Sequence, residues 1–187
     1  MHAPLPIEVT ATSGLPIEVT SLPQRGGRCH YDRPYYFLHL GSFEGMRGVL
    51  YVMTSNEDRK TPSRSVMWTV ESHQYECRVY LNFRSEGHVE RGGAERWLLA
   101  GGWHLDHQIR SPVSSGTPNG PYSGPTYSKV VPPKTRALLY GSECWEGTYF
   151  VFVEVLSGSA STAAASAAAA PAPIDAEGDH DEPLTAS

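Results

Sequence analysis

Cysteine is scarce in this chain: 187 residues contain three, Cys29, Cys77 and Cys144. An odd number with no CxxC spacing argues against a disulfide framework or a thiolate zinc site, and reads as reduced thiols in a protein made in a cytoplasm. Long apolar runs are missing as well. No stretch approaches the roughly eighteen residues of a membrane-spanning helix, and no charged segment leads into an apolar one at the N-terminus, so neither a span nor a signal peptide is expected. Basic runs are also absent. All fifteen Lys and Arg lie between Arg25 and Arg136, while seven of the twenty acidic residues lie in the flanks. The centre is therefore near +2, the overall −5 comes from the ends, and no nucleic-acid footprint is expected. Catalytic signatures complete the list of absences: there is no GxSxG elbow, no HExxH and no glycine-rich phosphate loop. Cys29 and His30 are adjacent, and neighbours on a strand face opposite ways, so they make no nucleophile and base pair.

What the chain does have is alternation. Between Tyr35 and Leu156 the apolar period is two, broken by Gly, Pro, Asn and Ser clusters, the pattern of an antiparallel all-β domain. The spacing predicts nine strands: 35–41, 47–54, 65–71, 76–83, 95–101, 103–109, 126–131, 135–141 and 147–155. In ECRVYLNF, Cys77, Val79, Leu81 and Phe83 share one face, and Arg78, Tyr80 and Asn82 share the other. In GTYFVFVEV both faces are apolar, as in a central strand buried under a second layer. About nine strands in two layers with no convincing helix predict a jelly-roll-like β-sandwich, with a small barrel as the competing architecture. The predicted core is Phe37, Leu50, Val52, Trp68, Val79, Leu81, Leu99, Leu139, Phe150 and Val153.

The flanks differ from that domain, which is expected to span residues 25–156. Residues 157–187 are Ala, Ser, Pro and acid rich without an apolar face, the composition of a disordered tail. Residues 1–24 contain one hexapeptide twice, LPIEVT at 5–10 and again at 15–20. Each copy is a good short strand, with Ile and Val two apart and Glu between them. A two-stranded hairpin is marginal alone in water, so this extended arm is expected to lie against something else. Leu5, Ile7, Val9, Leu15, Ile17 and Val19 are its candidate partner-binding residues, offering strand addition at two linked points.

Two further constellations carry chemistry. Aromatic rings beside amide and carboxylate groups suit a sugar, which would place a glycan site on Trp103, Asp106, Asn119, Tyr122 and Tyr127 around the long 111–128 loop. The competing reading is a loop whose tyrosines pack locally or seal a subunit contact. His104 and Asp106 would share one strand face, as two of three ligands do in some iron oxygenases. The remaining histidine downstream of His107 is His180 in the tail, so a third ligand would have to come from His30, His39, His73 or His88. The residues alone assign no catalytic group, no cofactor and no metal.

The doubled LPIEVT, followed by TSLPQ, resembles the LPxEVT-type repeats of tailed-bacteriophage structural proteins. The resemblance covers about twenty residues of 187. It implies a non-enzymatic virion component, such as a capsid decoration, head-fibre or tail-associated sandwich. Such a protein would be homo-oligomeric and would dock on other virion or capsid subunits through its arm. A carbohydrate-binding module and a small metal-dependent enzyme using His104 and Asp106 are the alternatives.

Overall fold

The computed structural model describes residues 5–109, 113–114, 122–143 and 146–158. The strands are β1 (Ile7–Ala11), β2 (Glu18–Ser21), β3 (Phe37–His39), β4 (Val49–Met53), β5 (Val66–Ser72), β6 (Tyr75–Asn82), β7 (His104–Leu105), β8 (Val113–Ser114), β9 (Thr126–Val131), β10 (Arg136–Tyr140) and β11 (Phe150–Gly158). They form a three-stranded sheet in the order β1-β5-β10, a six-stranded sheet in the order β2-β4-β11-β6-β9-β7, and a short β3-β8 pair. Every pairing of named strands is antiparallel. The chain is an antiparallel β-sandwich, as its alternation predicts.

Burial follows the pattern of β6. Cys77, Val79, Leu81 and Phe83 enter the core between the sheets together with Trp68, Val70, Leu139, Val151 and Val153. Tyr80 faces the other way, into a second apolar layer formed with Phe37, Phe43, Tyr51, Phe150 and Phe152. β11 is thus apolar on both faces because both are covered. Val151 and Val153 point inward, and Phe150 and Phe152 meet the segment that runs from Cys29 to Phe43.

The repeated hexapeptide lies within this sandwich. The first copy supplies β1, which pairs with β5 from Ile7↔Ser72 to Ala11↔Trp68. The second supplies β2, which pairs with β4 from Glu18↔Met53 to Ser21↔Leu50. Between them the chain turns at Gly14, whose φ of 72° suits glycine, and passes from one sheet to the other. Each copy becomes an edge strand with its Ile and Val toward the shared core and its Glu exposed. The expected arm is therefore corrected: residues 7–21 belong to the domain, and the surface they need is the rest of their own chain. Leu5 and Leu15, just outside the strands, are exposed. The tail from residue 159 on lies outside the described residues.

Helix is the second correction. ERWLLAG, predicted as a strand, forms α2 (Ala94–Ala100), preceded by α1 (Glu86–Arg91). The buried residues of α2 are Ala94, Trp97 and Leu98, the i, i+3, i+4 stripe of a helix. Leu99, predicted as core, is consequently 82% exposed. Three strands cannot cover six, and the two helices help to fill the uncovered part of the core. Trp97 packs beside Tyr140 on β10 with rings 5.8 Å apart and donates its indole N–H to Gly141 O at 3.2 Å. The predicted strands at 35–41 and 103–109 shorten to β3 and β7. No helix among the described residues is long and apolar enough to cross a membrane.

The two copies of the repeat are not equally buried. Ile7 is fully buried, whereas Ile17 is half-buried. Ile7→Ala is expected to cost about 2–4 kcal/mol, and Ile17→Ala clearly less. Urea denaturation of the two variants measures the difference, and a silent Ile7→Ala would contradict the placement of β1.

Candidate functional site

The segment after β6 organises the polar end of the molecule. Ser85 caps α1, its hydroxyl accepting the His88 N–H at 2.9 Å and donating to Glu146 Oε2 at 2.6 Å. The 122–126 segment is tied to the same stretch: Ser123 and Gly124 N–H groups donate to Arg84 O at 3.0 and 2.9 Å, and Phe83 N–H donates to Pro125 O at 3.0 Å. A β-carbon on Gly124 would lie 2.4 to 2.7 Å from the Ser85 backbone. Only glycine permits this approach, which fixes two distant segments side by side.

Behind this junction is a buried polar network. Glu146 is ion-paired with Arg91, and Arg84 donates to Glu146 O at 3.1 Å while its guanidinium lies 5.7 Å from the Tyr122 ring centre. Burial pushes the Glu146 carboxyl up, but the Ser85 and Arg91 hydrogen bonds outweigh it and hold the pKa below the usual range. His88 accepts the Arg84 backbone N–H at Nδ1 (3.4 Å) and contacts Ser142 Oγ through Nε2 (2.8 Å). That tautomer places the proton on Nε2, so His88 donates to Ser142 and does not activate it as a nucleophile. The pair is structural.

In front of the junction lies an open cleft of about 740 Å³. Glu86 and Arg91 line it from α1, Leu105, Asp106, His107 and Ile109 from β7 and the turn after it, and Ser123 to Thr126 from the facing segment. Asp106 is held firmly. Its Oδ1 accepts the Gln108 and Ile109 N–H groups at 3.0 and 3.3 Å, and its Oδ2 accepts Ser128 Oγ at 3.3 Å.

Of the predicted glycan residues that are described, Asp106 alone lines this cleft. Trp103 is buried edge-on against Trp97, and Tyr122 is buried flat on Phe150 at 4.0 Å with its hydroxyl donating to Thr148 O at 2.9 Å. Tyr127 is half-buried against Phe83, and Asn119 lies outside the described residues. The expected aromatic platform is thus not assembled, because these rings serve the two apolar layers. Glu86, Arg91 and Ser85 were not singled out by the sequence. Ser85 followed by Glu86 at the start of α1 is a recognisable N-cap signal, but its meeting with Gly124 is not. The exposed aromatic side chains Tyr31 (51%) and Tyr36 (46%) were also missed; alternation within PYYFLH, with Phe37 buried, would have placed Tyr36 outward.

His104 and Asp106 do share a face, since His104 pairs with Ser128 and Ser128 reaches Asp106. Asp106 already serves three donors of its own surroundings, and no group of three His, Cys, Asp or Glu side chains converges among the described residues. The facial ligand set of the metal reading is not built there.

No protein-family model and no curated protein matches the chain. Among solved structures it is similar to a beta-glucuronidase from glycoside hydrolase family 2, with a TM-score of 0.57 and 14% identity over 80% of this chain and 14% of that one. The chain spans about one seventh of that enzyme's length, and the likeness is one of fold.

The network has a pH signature. Burial pulls His88 and His30 from 6.5 to about 4, against the opposing pull of Glu146 and Asp32 respectively. The unfolded chain takes up these protons near pH 6.5 and the folded chain near 4. Their stabilisation is therefore complete above pH 6.5 and is lost as pH falls toward 4, by roughly 3 kcal/mol at most per imidazole. Asp32 and Glu146, held below the usual carboxylate range, lose theirs at lower pH. Urea titrations across this window should show the decline and His30→Phe should roughly halve it, leaving the share of His88; constant stability from pH 6.5 to 5 would contradict burial of the imidazoles.

Proposed function

We propose that this sandwich is a carbohydrate-recognition module that binds at the cleft between α1, β7 and the 122–126 segment and does not cleave its ligand. The observation that carries the proposal is the lining of that cleft. Carboxylate, guanidinium and imidazole groups from Glu86, Asp106, Arg91 and His107 line it together with the apolar side chains of Leu105, Ile109 and Pro125. Sugars present paired hydroxyls, each donor and acceptor, beside weakly polar C–H faces. Planar charged side chains bond such pairs at two atoms, and apolar side chains accept the C–H face. A concave site with a few fixed polar groups is the usual form of a small-ligand site. Asp106 is set in place before any ligand arrives, which lowers the ordering cost of binding.

The similarity to part of a glycoside hydrolase is compatible with this reading and contributes the fold. Docking to a virion through an extended arm is not the reading proposed here. It depended on an arm needing a neighbour's surface, and both copies of LPIEVT find that surface within the chain.

A glycan array probed with the full chain, followed by calorimetry on the best ligand, tests the proposal. Glu86→Ala and His107→Ala, both at exposed or half-exposed positions, should each weaken binding roughly tenfold, the loss of a charge-assisted hydrogen bond, with unchanged melting temperature. Tyr122→Ala should instead destabilise the fold by about 3 kcal/mol or more. An array without bound glycan, or full affinity in both cleft variants, would refute the reading.

A further inference from the structure

The cleft continues beyond β7. A second open cleft of about 460 Å³ is lined by Arg78, His104, Gln108, Ser128, Lys129 and Val130, and Leu105, Asp106 and His107 line both. The divider is slight, because β7 has two residues and the side chains of His104, Leu105, His107 and Gln108 are exposed. The chemistry repeats across it. Arg78, positioned by Glu154 at 3.5 Å and by Tyr80, carries more N–H donors than these contacts use. His104 and Gln108 add planar polar groups. Two of the exposed large apolar side chains of the molecule, Leu105 (45%) and Val130 (41%), lie in this same region, Leu105 on the divider and Val130 in the second cleft.

We infer that the two clefts are one groove, and that its ligand is an internal run of several units in a linear oligosaccharide rather than a single sugar or a chain end. This rests on the carbohydrate reading given above. One unit lies against Glu86, Arg91 and Ile109, the chain crosses Leu105 and Asp106, and a further unit lies against Arg78, His104 and Val130. Asp106 sits at the crossing, where its anchored carboxylate orients the turn that both units touch. An open groove admits a continuing chain, whereas an enclosed pocket would admit only an end.

Calorimetry with a length series of the best array ligand, from one unit to six, tests the inference. The parent chain should gain at least roughly tenfold in affinity between the shortest ligand that binds and the longest, because the second contact is made intramolecularly. His104→Ala should flatten that gain, whereas Glu86→Ala should weaken every length. His104 is exposed, and a melting curve confirms that the variant is folded. Equal parent affinity for short and long ligands would overturn the groove and leave the recognition reading standing, as would a His104→Ala loss that is the same at every length. Failure of every saccharide to bind would overturn both.

Discussion

The structure depends on one constraint, the burial of β11 on both faces. A strand that alternates Val151 and Val153 with Phe150 and Phe152 cannot leave either side in water, since each large apolar side chain is worth about 1.5–3 kcal/mol when buried. The inner side is met by the three-stranded sheet and the two helices. The outer side is met by the Cys29–Phe43 segment, where Phe43 stacks on Phe152 at 4.1 Å, Phe37 meets Phe150 edge-on at 5.0 Å and Tyr51 donates its hydroxyl to Cys29 O. That second layer does not cover the whole sheet. It ends near Tyr80, whose hydroxyl donates to Glu154 at 2.7 Å, and beyond it the same sheet face turns polar with Arg78, Ser128 and Asp106. The groove occupies the part of the sheet that the second layer leaves open.

The doubled hexapeptide follows from the same architecture. A sandwich has two sheets with one core between them, and an edge strand of either sheet meets the same demand: two β-branched residues inward, one charge outward, and a short run that ends the sheet. One six-residue solution therefore works twice. The Glu between Ile and Val also disfavours the pairing of another strand on the outer edge.

How much of this is legible in the sequence depends on whether a feature is local. β6, β9, β10 and β11 can be read from alternation because strand faces repeat every two residues, and the double burial of β11 is visible in its four consecutive core residues. ERWLLAG supports either period. Ala94, Trp97 and Leu98 decide for helix only when residue 94 is counted with them, and the same choice moves Leu99 from core to solvent. Trp103 and Tyr122 look like binding residues because composition cannot show which surface a large ring will cover. Asp106 was legible because its spacing from His104 puts both on one face. Glu86 and Arg91 were not, because they reach the cleft only through the contact of Gly124 with Ser85, which no local pattern encodes.

The central claim, that recognition takes place in the groove over β7, is tested most directly by mapping where a bound oligosaccharide perturbs the backbone amides of the labelled full chain. The account predicts shifts concentrated at Ser85 to Gly87, His104 to Gln108, Ser123, Gly124 and Ser128, with the buried strand β11 unmoved. Shifts centred instead on Tyr31 and Tyr36, exposed rings that line neither cleft, would contradict it.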